Sequence, residues 1–253
     1  IPISLPYNFW FVFFIIYPIV SACLPAWVMV EPKNYLSFCF IVIGCIALLV
    51  GAIVGNIPLQ LPLVILSSEK GPLWPMLFLT ISCGALTGMH SFWTTGYTSR
   101  RIPDEKYVRL VGYGGEVLEG LTAFIALACA AVLPLSVYLE YIQSGWIFIL
   151  QNGYAEVAGK VFTFVSVDTW KVFGGFLGSL FMITTLESGG RNMRIFLLEL
   201  FTMVTKKPVT HPGAKWISAT ISLGACGLLC KSGGWFYIWI LFPALSSLLA
   251  CKI

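Results

Sequence analysis

The stretch Phe40-Ile41-Val42-Ile43-Gly44-Cys45-Ile46-Ala47-Leu48-Leu49-Val50 decides the fold. It lies in a run from Asn34 to Ser68 without a single Asp, Glu, Lys or Arg, and a second such run reaches from Ile1 to Val30. A helix needs about 20 apolar residues to cross about 30 Å of hydrocarbon. Only helices and closed barrels satisfy every backbone group in lipid. A barrel strand alternates in polarity over about ten residues, and this stretch does not alternate. The sequence therefore predicts an all-α, polytopic transmembrane helix bundle.

Composition points the same way. Of 253 residues, 58% are hydrophobic and 10% charged, whereas a soluble domain carries about 25% charged residues. Fifteen basic and 11 acidic side chains cannot coat a globule of this size, so most of the surface must meet lipid. The chain starts at Ile1 with no basic n-region or A-x-A-like site, and its first segment reads as a spanning helix, not a signal peptide. Eight cysteines sit in apolar runs at spacings that fit no disulfide framework or zinc ribbon. They read as small packing residues. No metal is expected, and no cofactor, since two unequally placed histidines argue against haem ligation.

Seven spanning segments are predicted within one transmembrane domain, 1–253: 7–30, 35–55, 73–93, 108–133, 170–188, 213–230 and 234–251. Eleven of the basic residues then fall on one side and four on the other. That asymmetry places the N-terminus outside and the C-terminus in the cytoplasm. Residues 134–169 form a long external link, with a re-entrant or interfacial segment expected over 141–167. Residues 190–205 place Ile195, Phe196, Leu197, Leu198, Leu200, Phe201 and Val204 among Arg191, Arg194 and Glu199. They read as a cytoplasmic interfacial helix, or as a short helix packed on the bundle.

Charges within a membrane are costly and mark function. Glu116 and Glu119 share a helical face, three residues apart. Counted from Arg109, Glu119 reaches about the bilayer midplane. A buried carboxyl there can load and unload protons as a site changes sides. Glu187 ends an apolar run with Arg191 four residues on, which suits a structural ion pair or a gate. His90 precedes Thr94-Thr95-Gly96-Tyr97-Thr98-Ser99, a hydroxyl-rich stretch that either unwinds beside a ligand or simply leaves the bilayer. G-x-x-x-G pairs at Gly51/Gly55, Gly84/Gly88 and Gly174/Gly178 permit close helix crossing. Gly112, Gly114 and Gly115 loosen the start of the acidic helix.

Several motifs resemble one family. Leu24-Pro25-Ala26-Trp27 and Glu31-Pro32-Lys33-Asn34-Tyr35-Leu36 resemble the L-P-x-W…P-[RK]-[DN]-Y-L stretch of the carbon starvation proteins. Cys83-Gly84-Ala85-Leu86-Thr87-Gly88-Met89-His90 resembles their C-G-A-x-S-G-F-H run, and Thr95-Gly96-Tyr97-Thr98 the S-G-T-T after it. Gly112-Tyr113-Gly114-Gly115-Glu116-Val117-Leu118-Glu119 is similar to their G-Y-G-x-x-x-x-E signature. Thr185-Leu186-Glu187-Ser188-Gly189-Gly190-Arg191 is similar to their T-x-D-x-G-T-R turn, with Glu187 for Asp and Gly190 for Thr. Ser246-Ser247 stand where the family tends to show Asn-Gln.

The resemblance implies an inner-membrane secondary carrier for peptides or pyruvate, coupled to protons and working by alternating access. On that reading Glu119, His90 and Glu116 couple protons, while Gly88, Thr94, Thr95, Gly96, Thr98, Gly112 and Gly114 line the substrate path. No enzyme activity is expected. The partners are substrate, protons, the bilayer, and a second membrane chain or missing N-terminal half, since family members are longer. Nucleic acid has no support, because a net charge of +4 is accounted for by the links. The alternative is a scaffold subunit that does not transport.

Overall fold

The computed structural model describes residues 5–62, 64–68, 71–85, 90–91, 98–206 and 211–251, and its architecture is an all-α membrane bundle. Among these residues the helices are α1 (Tyr7–Cys23), α2 (Ala26–Val54), α3 (Leu73–Ala85), α4 (Val108–Ala131), α5 (Leu135–Ser144), α6 (Trp146–Val161), α7 (Val167–Thr205), α8 (Ala214–Ser232) and α9 (Trp235–Ala250). A minimal antiparallel pair, Ser67–Ser68 with Gly71–Pro72, precedes α3. Among the described residues, three helices are long and apolar enough to cross a membrane by length and composition: Ala26–Val54, Glu105–Ala131 and Val167–Thr205.

Helix ends follow local chemistry. α1 stops at Cys23 because Leu24 precedes Pro25, which disfavours the α region; Leu24 is extended, with φ −78° and ψ 155°. The helix expected to run to residue 30 is therefore cut short, and Ala26 opens α2 instead of residue 35. α7 corrects a second expectation. No break separates 170–188 from 190–205: one helix of 39 residues runs through Gly189 and Gly190, about 58 Å at 1.5 Å per residue. Glycine weakens a helix by only about 1 kcal/mol, and no proline intervenes before Pro208. The chain leaves helical geometry at Lys206, where φ is 53°.

Where one domain over 1–253 is expected, contacts gather the chain into two compact units. The first comprises Ile1–Pro32, Leu66–Arg101 and Thr184–Ile253; the second, Lys33–Ile65 and Ile102–Ile183. In the first, α1 packs on α8 and α3 on α9. The Ser82 and Ser247 hydroxyls lie 2.9 Å apart across the latter pair, and Arg101 pairs with Glu31.

The second unit is organised around α6, in the region expected to be an external link. The link holds two helices, α5 and α6, joined at Gly145, whose φ of 127° is open to glycine and strained for other residues. Tyr154, Val157 and Ala158 of α6 are 0%, 1% and 0% exposed and sit in a core with Leu48, Ile125, Cys129, Val132 and Leu177. Three helices meet α6 at glycines. A Cβ on Gly153 would land on the Cys129 carbonyl of α4. One on Gly51 of α2 would lie 2.8 Å from the Val157 carbonyl, and one on Gly174 of α7 2.9 Å from Tyr154 Cβ. The Tyr154 hydroxyl donates to the Gly44 carbonyl at 3.0 Å. Beyond α2, the N–H groups of Gln60 and Leu61 both donate to the Ala131 carbonyl, at 2.8 and 3.3 Å, and cap α4.

Gly153→Ala should therefore destabilise the protein by about 3 kcal/mol, since backbone cannot yield to the methyl. Gly120→Ala should be neutral or stabilising, because nothing lies within 4 Å of a Cβ at Gly120. Thermal unfolding of the two purified variants in one detergent separates them.

Candidate functional site

Each helix of the second unit turns residues at one-turn spacing toward a common space. α4 contributes Glu119, Ala123, Ala126 and Ala130; α6 contributes Trp146, Leu150 and Tyr154; α7 contributes Leu177 and Phe181. Small side chains on α4 leave room that the aromatic residues opposite do not fill. The result is a cavity of about 480 Å³, the size of a small-molecule site. Its wall is apolar apart from Glu119, Thr122 and the tyrosines Tyr138 and Tyr154. Thr122 Oγ1 is spent on the Glu119 carbonyl at 2.7 Å, and Tyr154 on that of Gly44.

Glu119 is thus the one charged side chain among the described lining residues. Eleven residues into the 24-residue α4, it sits about 17 Å along the axis, near the helix midpoint. It is exposed at the cavity rim, and among the described residues its carboxylate meets no hydrogen-bond donor or cation within bonding distance. Glu116, one turn earlier, is exposed and outside the cavity wall. Gly112 and Gly114 lie further back on α4, with no neighbouring helix within 4 Å of a Cβ.

The remaining expected residues belong to the first unit. His90 is helical and half-buried, and Thr98 is half-buried. Gly88, Thr94, Thr95 and Gly96 lie outside the described residues. Glu187 is 1% exposed and accepts a hydrogen bond from the Tyr17 hydroxyl. Arg191 donates to the Ser21 and Leu24 carbonyls at 2.7 and 3.1 Å. Its cation so covers the negative end of α1. Tyr17 and the α1 terminus were not legible as partners, being about 170 residues away in sequence.

Outside the spans, the N–H of Lys106 donates to Asp104 at 3.2 Å and its ammonium stands 3.0 Å away. Together they hold the Asp104 carboxyl below its ordinary range, the backbone donor contributing most. Among the described residues no group of three or more His, Cys, Asp or Glu is placed to hold a metal.

The profile of the family described as Carbon starvation protein CstA matches residues 2–148. Peptide transporter CstA of Helicobacter pylori strain J99 is 38% identical over 129 residues, which are 48% of this chain and 19% of that protein. Peptide transporter CstA of Escherichia coli K12 is 30% identical over 241 residues, 92% of this chain and 32% of the relative. Pyruvate/proton symporter BtsT of the same organism is 25% identical over 316 residues, covering 92% and 44%. The chain spans less than half the length of these relatives. No solved structure matches it.

Tyr17→Phe removes a donor from a buried carboxylate and should lower stability by about 1–3 kcal/mol. Val12→Leu, on the exposed side of α1, should stay within about 0.5 kcal/mol. Denaturant unfolding followed by tryptophan fluorescence measures both.

Proposed function

The chain belongs to the carbon starvation protein CstA family, and on that premise we propose that it forms part of a proton-coupled secondary transporter of the inner membrane. Its substrates in this reading are small carboxylates, peptides or pyruvate, moved by alternating access. The N-terminus lies outside and the C-terminus in the cytoplasm, as the basic residues in the links favour. This chain spans less than half the length of the relatives it matches, and the rest of the transporter is a second membrane chain or an N-terminal half.

One observation carries the proposal: Glu119 is the sole charged side chain among the described residues that line the cavity. Peptides and pyruvate both end in a carboxylate. Beside an ionised Glu119 that carboxylate meets like charge, worth about 4 kcal/mol at about 4 Å and an effective dielectric of about 20. Protonation removes the repulsion and converts Glu119 from an acceptor into an O–H donor for the substrate. Proton and substrate therefore occupy the cavity together. Reorientation of the helices carries both across, and loss of the proton on the far side expels the substrate. Tyr138, Trp146 and Phe181 receive the apolar remainder. Glu116, outside the wall, takes a lesser part.

The sign of the pH dependence follows: substrate affinity rises as pH falls, because binding requires the protonated form. In proteoliposomes, Glu119→Gln should lose accumulation driven by an inward proton gradient, at least about a hundredfold at the like-charge energy above. The amide is neutral and still a donor, so pH-independent counterflow of labelled pyruvate or dialanine should persist. Glu116→Gln should retain accumulation within about threefold. Gradient-driven accumulation by Glu119→Gln at the wild-type level would refute the assignment.

A further inference from the structure

Beyond the Glu119 cavity, the first unit carries cations without matching anions. Arg191 is accounted for, by carbonyls at the end of α1. Arg194, one turn further along α7, is half-buried, and its Nε is enclosed without a hydrogen-bond partner. Lys215, half-buried in the first turn of α8, has no ion-pair partner among the described residues. Cys23, the last residue of α1, joins the two: its thiol donates to the Lys215 carbonyl at 3.4 Å, and the Ser21 and Leu24 carbonyls on either side of it hold Arg191, one turn before Arg194. Two residues before Cys23, Ser21 is fully buried and its hydroxyl has no hydrogen-bond partner. Against the one carboxylate Glu187, which the Tyr17 hydroxyl meets, stand three cations, Arg191, Arg194 and Lys215. The cluster is therefore short of negative charge, in a setting where an unmatched buried cation is costly.

The end of α8 adds to this. Its N-cap, Gly213, supplies no side-chain acceptor, and its first turn carries no acidic residue. His211 closes this end, its Nδ1 accepting from the Gly213 N–H and its carbonyl from the Ala214 N–H, so what α8 offers an anion is the positive end of its dipole, with no acidic side chain beside it. The thiol contact also sets the last residue of α1 level with the first turn of α8. Two apolar helices ending at one level mark the height at which hydrocarbon gives way to headgroups.

We infer that the junction of α1, α7 and α8 is a phosphate site, in which Arg194 and Lys215 hold the oxyanion of an anionic lipid headgroup or of free phosphate. Arg194 presents its guanidinium donors from the buried side. Lys215, with the α8 N-terminus, provides the outer point charge. The site is independent of Glu119 and fastens α1 to α7 and α8.

The test uses the full chain in nanodiscs of phosphatidylcholine, of phosphatidylcholine with phosphatidylglycerol, and of phosphatidylcholine with added inorganic phosphate. The unfolding temperature of wild type should rise in one or both of the last two relative to the first. A rise with phosphatidylglycerol alone identifies a headgroup, and a rise with inorganic phosphate identifies the free ion. The Arg194→Gln/Lys215→Gln double variant should lose that rise, with binding weaker by about tenfold or more. Should the double variant not fold, Lys215→Gln alone and native mass spectrometry of phosphatidylglycerol retained by wild type replace it. Equal unfolding temperatures of wild type in all three nanodiscs, or an undiminished rise in the variant, overturn the inference.

Discussion

The contact of Gly153 with the Cys129 carbonyl is the constraint on which the second unit depends. It lets α6 lie directly on the backbone of α4, and Gly51 and Gly174 let α2 and α7 approach α6 as well, less tightly. Lipid offers helices no hydrophobic drive to associate, so close van der Waals packing must do that work. The crossings also place Tyr154, fully buried, against the Gly44 carbonyl. With α2, α4 and α7 held against α6 at Gly51, Gly153 and Gly174, the cavity beside Glu119 is the space that remains.

The two units handle charge differently. In the first, polar groups are drawn inward and several are matched: Tyr17 meets Glu187, and Arg191 covers the end of α1. Such pairs fix one helix against another, since removing one partner strands the other in a medium that cannot solvate it. In the second, the apolar cavity holds one carboxylate at its rim. The proposed function rests on that single carboxylate in an otherwise apolar wall.

Much of this was legible in the residues. The charge-free run from Asn34 to Ser68 holds most of α2, and the spacing of Glu116 and Glu119 singles out α4. The α6 sequence misleads because Gln151, Asn152, Glu156 and Lys160 lower its hydropathy below that of a spanning helix. At 16 residues it is also too short to cross the bilayer unaided. Its burial was nevertheless written in the recurrence of Gly153, Tyr154, Val157 and Ala158 along one face. Trp146, Leu150 and Tyr154, at four-residue spacing, were the sequence signal for the cavity wall. Arg194 and Lys215 gave no such signal. Their meeting at the end of α1 depends on a chain reversal between α7 and α8 and on how α1 docks, neither of which periodicity encodes.

The central claim is that a substrate carboxylate enters the cavity only with a protonated Glu119. Cys45 lies on the cavity wall and is half-buried, so its alkylation reports occupancy. The deciding measurement is the rate of N-ethylmaleimide modification at Cys45, read by peptide mass spectrometry, with and without pyruvate or dialanine across a pH series. Protection by substrate that strengthens toward acid pH, and becomes independent of pH in Glu119→Gln, is the predicted result. Protection that is absent, or that ignores pH in the wild type, would contradict the account.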